Sequence, residues 1–169
     1  MQASALTKVV ITDTNVLINF MHIGQVALLG ELPAYKVGLP TEVLHELTDI
    51  RQRTCIDAAI EADKIHLVVV EAIDAVALFG DLRDLMGRGE AACLALAATS
   101  GCYLASDEKK RFRSKAIELI GEERILRTED LLLEAIRCDR ITVAQADEYK
   151  AILVRNRYAM PFASFAERL

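Results

Sequence analysis

The sequence predicts an α/β fold in which a mostly parallel sheet is covered by helices on both faces. Three observations carry this expectation. Short apolar runs alternate along the chain with segments of helical period, the pattern of strand–helix–strand units. Two of those runs end on an acid, Asp13 after Val9-Val10-Ile11-Thr12 and Asp107 after Leu104-Ala105-Ser106. Open α/β sheets bind their ligands beyond the carboxyl ends of such strands. Finally, 169 residues, of which 53% are hydrophobic, suffice to bury one core without requiring a second.

The elements follow in order. Residues 8–12 read as a central strand, and residues 16–20 and 25–32 have helical period, split by Gly24. Residues 35–39 form a second strand. Pro40 and Thr41 open a helix through about residue 53, with Thr41 suited to the N-cap, and another helix covers 55–64. Residues 65–70 are a third apolar run. Residues 72–86 return to helical period until Gly87-Arg88-Gly89 interrupts it, and an Ala-rich helix over 90–100 closes at Gly101. A strand over 102–105, a basic helix over 109–120 and a short strand over 124–127 follow. Two helices, 128–138 and 142–156, each begin on a threonine, and the tail over 158–169 carries Pro161 and two phenylalanines. No repeat, low-complexity tract or linker divides the chain, which predicts one domain over 1–169. The apolar residues of 72–79 and the tail phenylalanines read either as a dimer face or as completion of the core.

Composition narrows the function. A net charge of −5 argues against holding nucleic acid by bulk electrostatics, yet leaves room for a nuclease whose metal neutralises an acidic site locally. The four cysteines, Cys55, Cys93, Cys102 and Cys138, form no C-x-x-C pair and have no histidine at zinc spacing. They read as buried, reduced thiols, which fits a cytoplasmic protein. No apolar run approaches the roughly 20 residues that span a bilayer. The first eight residues lack the basic and apolar regions of a secretory signal.

Four acids stand out by position. Asp13 opens Asp13-Thr14-Asn15-Val16-Leu17 directly after a buried strand, where it serves as helix cap or as ligand. Glu46 lies at the border of the stripe made by Val43, Leu44, Leu47 and Ile50, either solvated or aimed into a cleft. Glu90 is the only charge between residues 90 and 103. It heads a helix apolar on all sides, where it complements the helix dipole or binds a cation. Asp107 follows the fourth strand and is followed by Lys109, Lys110, Arg111, Arg113 and Lys115, either a solvated face or a grip for phosphate. Four carboxylates converging on one cleft would repel one another. A bound hard divalent cation resolves the repulsion, and the usual partner of such a cation is a phosphate.

Taken together, the motifs resemble the PIN domain. Asp13-Thr14-Asn15-Val16-Leu17-Ile18 is similar to its opening motif, and Glu42-Val43-Leu44-His45-Glu46-Leu47 to its second, with Glu46 as the acid. Gly87-Arg88-Gly89-Glu90-Ala91-Ala92 resembles a third motif in which Glu replaces Asp, and Leu104-Ala105-Ser106-Asp107 resembles the fourth. The resemblance covers about residues 7–138, leaves 139–169 as a C-terminal helical extension, and is to the branch containing VapC-type toxins and uncharacterised relatives with a Gly-x-Gly-Glu third motif. It implies a three-layer α/β/α sandwich and a Mg²⁺- or Mn²⁺-dependent ribonuclease acting on single-stranded RNA, often dimeric and often inhibited by a cognate antitoxin. On this reading Asp13, Glu46, Glu90 and Asp107 hold the metal and are the catalytic residues. Asn15 and Ser106 orient the carboxylates, and Arg88, Lys109, Lys110, Arg111 and Arg113 bind RNA. A departure is the absence of a separate acid further on from the fourth motif; only the adjacent Glu108 is present, so a second metal would be weakly held. The rival reading is a PIN-like module that binds RNA or a partner protein with little chemistry. Phosphoreceiver and dehalogenase-type phosphatase folds are disfavoured, because Asp13-Thr14-Asn15 lacks the second acid they place there. His22, His45 and His66 accompany no nucleophile elbow, and no Gly-rich phosphate loop is present.

Overall fold

β-branched residues favour extended chain, and in the computed structural model, which describes residues 7–169, Lys8–Thr12 forms the central strand β1. The expected absence of a secretory leader concerns residues largely outside the described ones. Asp13 caps the helix that follows, α1 (Thr14–His22), and a 3-10 stretch over Val26–Glu31 leads to β2 (Tyr35–Pro40). Then come α2 (Thr41–Glu46), α3 (Ile50–Glu61), the short β3 (His66–Val68), α4 (Ile73–Arg83) and α5 (Arg88–Ser100). The chain continues through β4 (Tyr103–Ala105), α6 (Lys110–Ile120), β5 (Ile125–Leu126), α7 (Thr128–Arg137) and α8 (Val143–Arg155).

All five strands are parallel, in the order β3-β2-β1-β4-β5. The chain therefore builds outward from β1 to β3 and returns to the other side of β1 to begin β4. The gap between β1 and β4 is the point where the order reverses, and Thr12 pairs with Ala105 at its end. That register sets Asp13 beside Ser106, and the Asp13 amide donates to the Ala105 carbonyl at 3.1 Å. Helices α1, α3, α7 and α8 form one layer, and α4, α5 and α6 the other, which makes the three-layer sandwich that the sequence predicts. Residues 91–97 of α5 are all buried, so this helix is core on every side and fixes Glu90 at its first turn.

Several boundaries differ from expectation. The helix predicted from Thr41 to about residue 53 is two helices. Asp49 accepts from the amides of Arg51 and Gln52 and starts α3 afresh, which ends α2 at Glu46 and leaves Ile50 76% exposed rather than in the apolar stripe. Thr41 is the first helical residue and makes no cap bond. Thr128 likewise lies inside α7, while Thr142 caps α8 through the Gln145 amide. The third apolar run is an edge strand only three residues long, with Leu67 and Val69 exposed. Of the cysteines, all free, Cys93 is buried but Cys55 is exposed. In the tail, Ser164 and the Phe165 amide bond Asp147, and Phe165 is fully buried with Phe162 packed edge-on against it, so these phenylalanines complete the core.

Candidate active site

At the carboxyl end of β1 the apolar strand has to give way to a helix, and Asp13 makes that transition. Its Oδ1 accepts from the Val16 amide at 3.0 Å and its Oδ2 from the Ser106 hydroxyl at 2.5 Å. The side chain is 4% exposed, and burial, outweighing these two bonds, pushes its carboxyl up to about 7, with the charges of Asp107 and Glu108 adding to the effect. Burial is thus the main reason that this carboxyl resists ionisation, with the neighbouring acids a smaller one.

Asp13 stands at the floor of a cleft of about 360 Å³ whose walls carry Glu46, Glu90 and Glu108, together with Thr14, Asn15, Gly87 and Gly89. Glu46, at the last residue of α2, is held across the cleft: Oε1 accepts from the Gly89 amide at 2.7 Å and Oε2 from the Thr14 hydroxyl at 3.2 Å. The approach requires glycine at position 89, since a Cβ there would lie 2.5 Å from Glu46 Oε2. Glu90 reaches back to the Gly87 amide at 3.1 Å, closing the first turn of α5. Glu108 accepts from the side-chain Nδ2 of Asn15, and burial followed by the charge of Glu90 raises its carboxyl above the ordinary range. None of the ion pairs among the described residues involves any of these four acids.

Asp107 is the correction. It does not line the cleft. Its Oδ1 accepts from the Thr128 amide at 2.9 Å and the Tyr158 hydroxyl at 2.7 Å, and its Oδ2 from the Thr128 hydroxyl at 2.5 Å and Asn19 at 2.9 Å. Three donors of its own satisfy it on the side facing α7 and the C-terminal extension. It shares the single Tyr158 hydroxyl proton with Glu129, and burial and Asp107 raise the phenol well above its usual range. Asp107 is held towards α7, whereas its neighbour Glu108 lines the cleft. Glu108 thus occupies the wall expected for Asp107, a placement that only its adjacency in sequence foreshadowed.

Beside the cleft, and sharing Glu90 and Glu108 with it, runs a second groove of about 490 Å³. Of the expected cations, Lys109, Lys110 and Arg111 line it, and Lys115 joins them. Arg113 instead pairs with Glu122 at 2.7 Å, and Arg88 is exposed and lines neither hollow. Leu85 and Met86, from the turn between α4 and α5, line this groove too, and the sequence did not single them out.

Could these residues hold a divalent ion? As they stand, no three His, Cys, Asp or Glu side chains among the described residues are gathered tightly enough to ligate one. The donor chemistry nevertheless fits: carboxylate oxygens are the ligands that Mg²⁺ and Mn²⁺ prefer. The four acids share one cleft without a compensating cation, and Glu90 and Glu108 are each tethered by a single hydrogen bond.

An open parallel sheet with an acid-walled cleft at its switch point places the chain in the class of three-layer α/β sandwich proteins. The sequence model of DUF3368, described as a PIN domain, matches residues 9–128, and the chain belongs to that family. No curated protein matches it. PIN domains are typically nucleases, hydrolases that generally act on RNA or other nucleic acid with divalent metals. No described helix is long and apolar enough to cross a membrane.

Proposed function

We propose that the protein is a metal-dependent endoribonuclease that hydrolyses phosphodiester bonds of single-stranded RNA. The observation that carries this reading is the cleft itself: four carboxylates, Asp13, Glu46, Glu90 and Glu108, around one hollow with no cation paired to them, opening onto a groove lined by lysines and an arginine. These four acids, rather than Asp107, would hold Mg²⁺ or Mn²⁺. When bound, the ion supplies an acidified water and stabilises charge on the departing oxygen. The chain's own contributions are more specific. Ser106 and the Val16 amide fix the orientation of Asp13, and Gly89 and Thr14 fix Glu46. Asn15 steadies Glu108. Such supporting bonds aim ligands and are typically worth about 10–100-fold in metal affinity or activity. Lys109, Lys110 and Arg111 neutralise the RNA backbone next to the cleft.

The test is cleavage of a fluorescent single-stranded RNA by the purified protein in Mn²⁺. Wild type is expected to cleave, EDTA to stop it, and Glu90→Gln to cost on the order of 100-fold, because the ion's charge stabilisation is worth several kcal/mol. RNA bound without cleavage would establish the interaction-module reading instead, and Glu90→Gln as active as wild type would remove Glu90 from the catalytic acids. The VapC-type resemblance extends the proposal to the toxin of a toxin–antitoxin pair. Growth arrest on induction, relieved by Glu90→Gln, is the corresponding outcome.

A further inference from the structure

The groove beside the acid cleft has a character that phosphate binding alone does not explain. Its lining is cationic in part, with Lys109, Lys110 and Arg111 free of ion pairs among the described residues. Apolar residues line it as well: Leu85 is 64% exposed, Met86 half-buried, and Phe112 buried. Leu85 and Met86 together give the groove an apolar surface on the turn between α4 and α5, next to its cations. The backbone supports the same view. Lys110 is held at φ 55°, a conformation that glycine adopts without strain and side-chain-bearing residues disfavour. The chain nonetheless keeps a long cationic side chain there, on the rim of the groove.

We propose that this groove is a nucleoside subsite. It takes one unstacked base of the RNA, laid against Leu85 and Met86, while Lys109, Lys110 and Arg111 hold the phosphate that joins it to the strand. The proposal rests on the nuclease reading for its neighbour, the cleft, with which the groove is continuous through Glu90 and Glu108. Charge and shape choose the occupant. In a chain of net charge −5, Lys109, Lys110, Arg111, Arg113 and Lys115 fall within seven consecutive residues, and three of them face this hollow unpaired. The volume, about 490 Å³, lies in the range of small-ligand sites. A polyanion that also presents a flat apolar face at regular intervals is a single-stranded nucleic acid. A base stacked in a duplex could not turn its face to Leu85, so the subsite would be the origin of single-strand selectivity.

The experiment measures binding, with Ca²⁺ as the only divalent cation, by fluorescence anisotropy. The probes are a labelled RNA pentamer and the same pentamer with every base removed. The proteins are wild type, Leu85→Ser, and the double variant Lys110→Ala with Arg111→Ala. Base stacking on an aromatic ring is worth about fivefold or more per base in single-strand binding, which sets the scale for a base laid on Leu85 and Met86. Wild type is therefore expected to prefer the intact pentamer by about that factor, Leu85→Ser to lose the preference while still binding the abasic strand, and the lysine–arginine variant to weaken both strands equally. Equal binding of the two pentamers by wild type, an undiminished preference in Leu85→Ser, or no binding of either strand overturns the proposal. Leu85 is exposed, so its substitution leaves the core intact, and a thermal melt confirms that the variant is folded. The cleavage assay in Mn²⁺ separates the two readings. Base preference without cleavage leaves the subsite and removes the nuclease, whereas cleavage without base preference does the reverse.

Discussion

Two groups of carboxylates stand at the same end of the sheet, and the chain treats them in opposite ways. Asp107 and Glu129, on the α7 side, are buried and bonded: Asp107 receives three hydrogen bonds of its own, it shares the single Tyr158 hydroxyl proton with Glu129, and Arg127 lies 3.6 Å from Glu129. Asp13, Glu46, Glu90 and Glu108, on the cleft side, share six hydrogen bonds among four acids and no ion pair among the described residues. Each of the adjacent residues Asp107 and Glu108 belongs to one of these groups. A carboxylate saturated with donors stabilises a fold, because its negative charge is already answered. One left short of donors in a shared hollow keeps capacity for a cation. The difference teaches that acid clusters are to be judged by what already satisfies them, not by how many acids they contain.

The sharpest way to break this comparison is Asp107→Ala. It orphans the Thr128 amide and hydroxyl, Asn19 and Tyr158 together, and should cost about 3–5 kcal/mol of stability in urea unfolding, as breaking a buried charged network does. A loss under about 1 kcal/mol would mean that this network is not structural.

Asp13→Asn tests the opposite group. The folded carboxyl titrates at about 7, above its unfolded value near 4. A raised carboxyl favours the fold fully below the unfolded value, and that contribution is lost as pH rises through about 7. Metal-free wild type should therefore weaken between pH 4 and pH 7, and Asp13→Asn should flatten that decline by about 4 kcal/mol across the whole window, of which about 3 kcal/mol falls above pH 5. Chemical denaturation at pH 5 and pH 8 measures it, and parallel pH profiles for the two proteins would remove the raised carboxyl from the account.

Glu108→Gln and Asp107→Asn set the neighbours directly against each other. The first should lower Mn²⁺-dependent cleavage on the order of 100-fold while changing stability by less than about 1 kcal/mol. The second should be costlier to stability than to the metal dependence of the cleavage that remains. The reverse pattern would restore Asp107 to the cleft. The smallest effect is expected from Gly89→Ala. Alanine favours the helix by up to about 1 kcal/mol, yet its Cβ would meet Glu46 Oε2 at 2.5 Å. Activity should fall on the order of tenfold, the scale of a lost supporting contact to a ligand, with stability unchanged or higher.

Much of this was legible in the chain. The apolar run of β1 and its terminal acid, the buried helix headed by Glu90, and the alternation of elements all follow from local pattern, which is why the sheet and the places of Asp13 and Glu90 were legible, whereas Glu46 was singled out by the family resemblance. The choice between Asp107 and Glu108 was not legible. It depends on donors 21 and 51 residues further along, Thr128 and Tyr158, and no periodicity announces them. The end of α2 was hidden for a similar reason. Its apolar stripe runs on through Ile50, but the Asp49 cap, a local hydrogen-bonding competitor, outweighs it. Leu85 and Met86 escaped notice because exposed apolar residues at a helix end read as frayed core until a groove is seen beside them.

The central claim is that the cleft acids, with Asp13 at their floor, gather a divalent ion. The most direct measurement is the melting temperature of the purified protein at pH 7.5 as Mn²⁺ is added, for wild type and Asp13→Asn. A site binding only the folded state adds about 2.7 kcal/mol at a hundredfold excess over its dissociation constant. Wild type should therefore gain several degrees while Asp13→Asn gains almost nothing. An equal gain in both proteins would contradict the account.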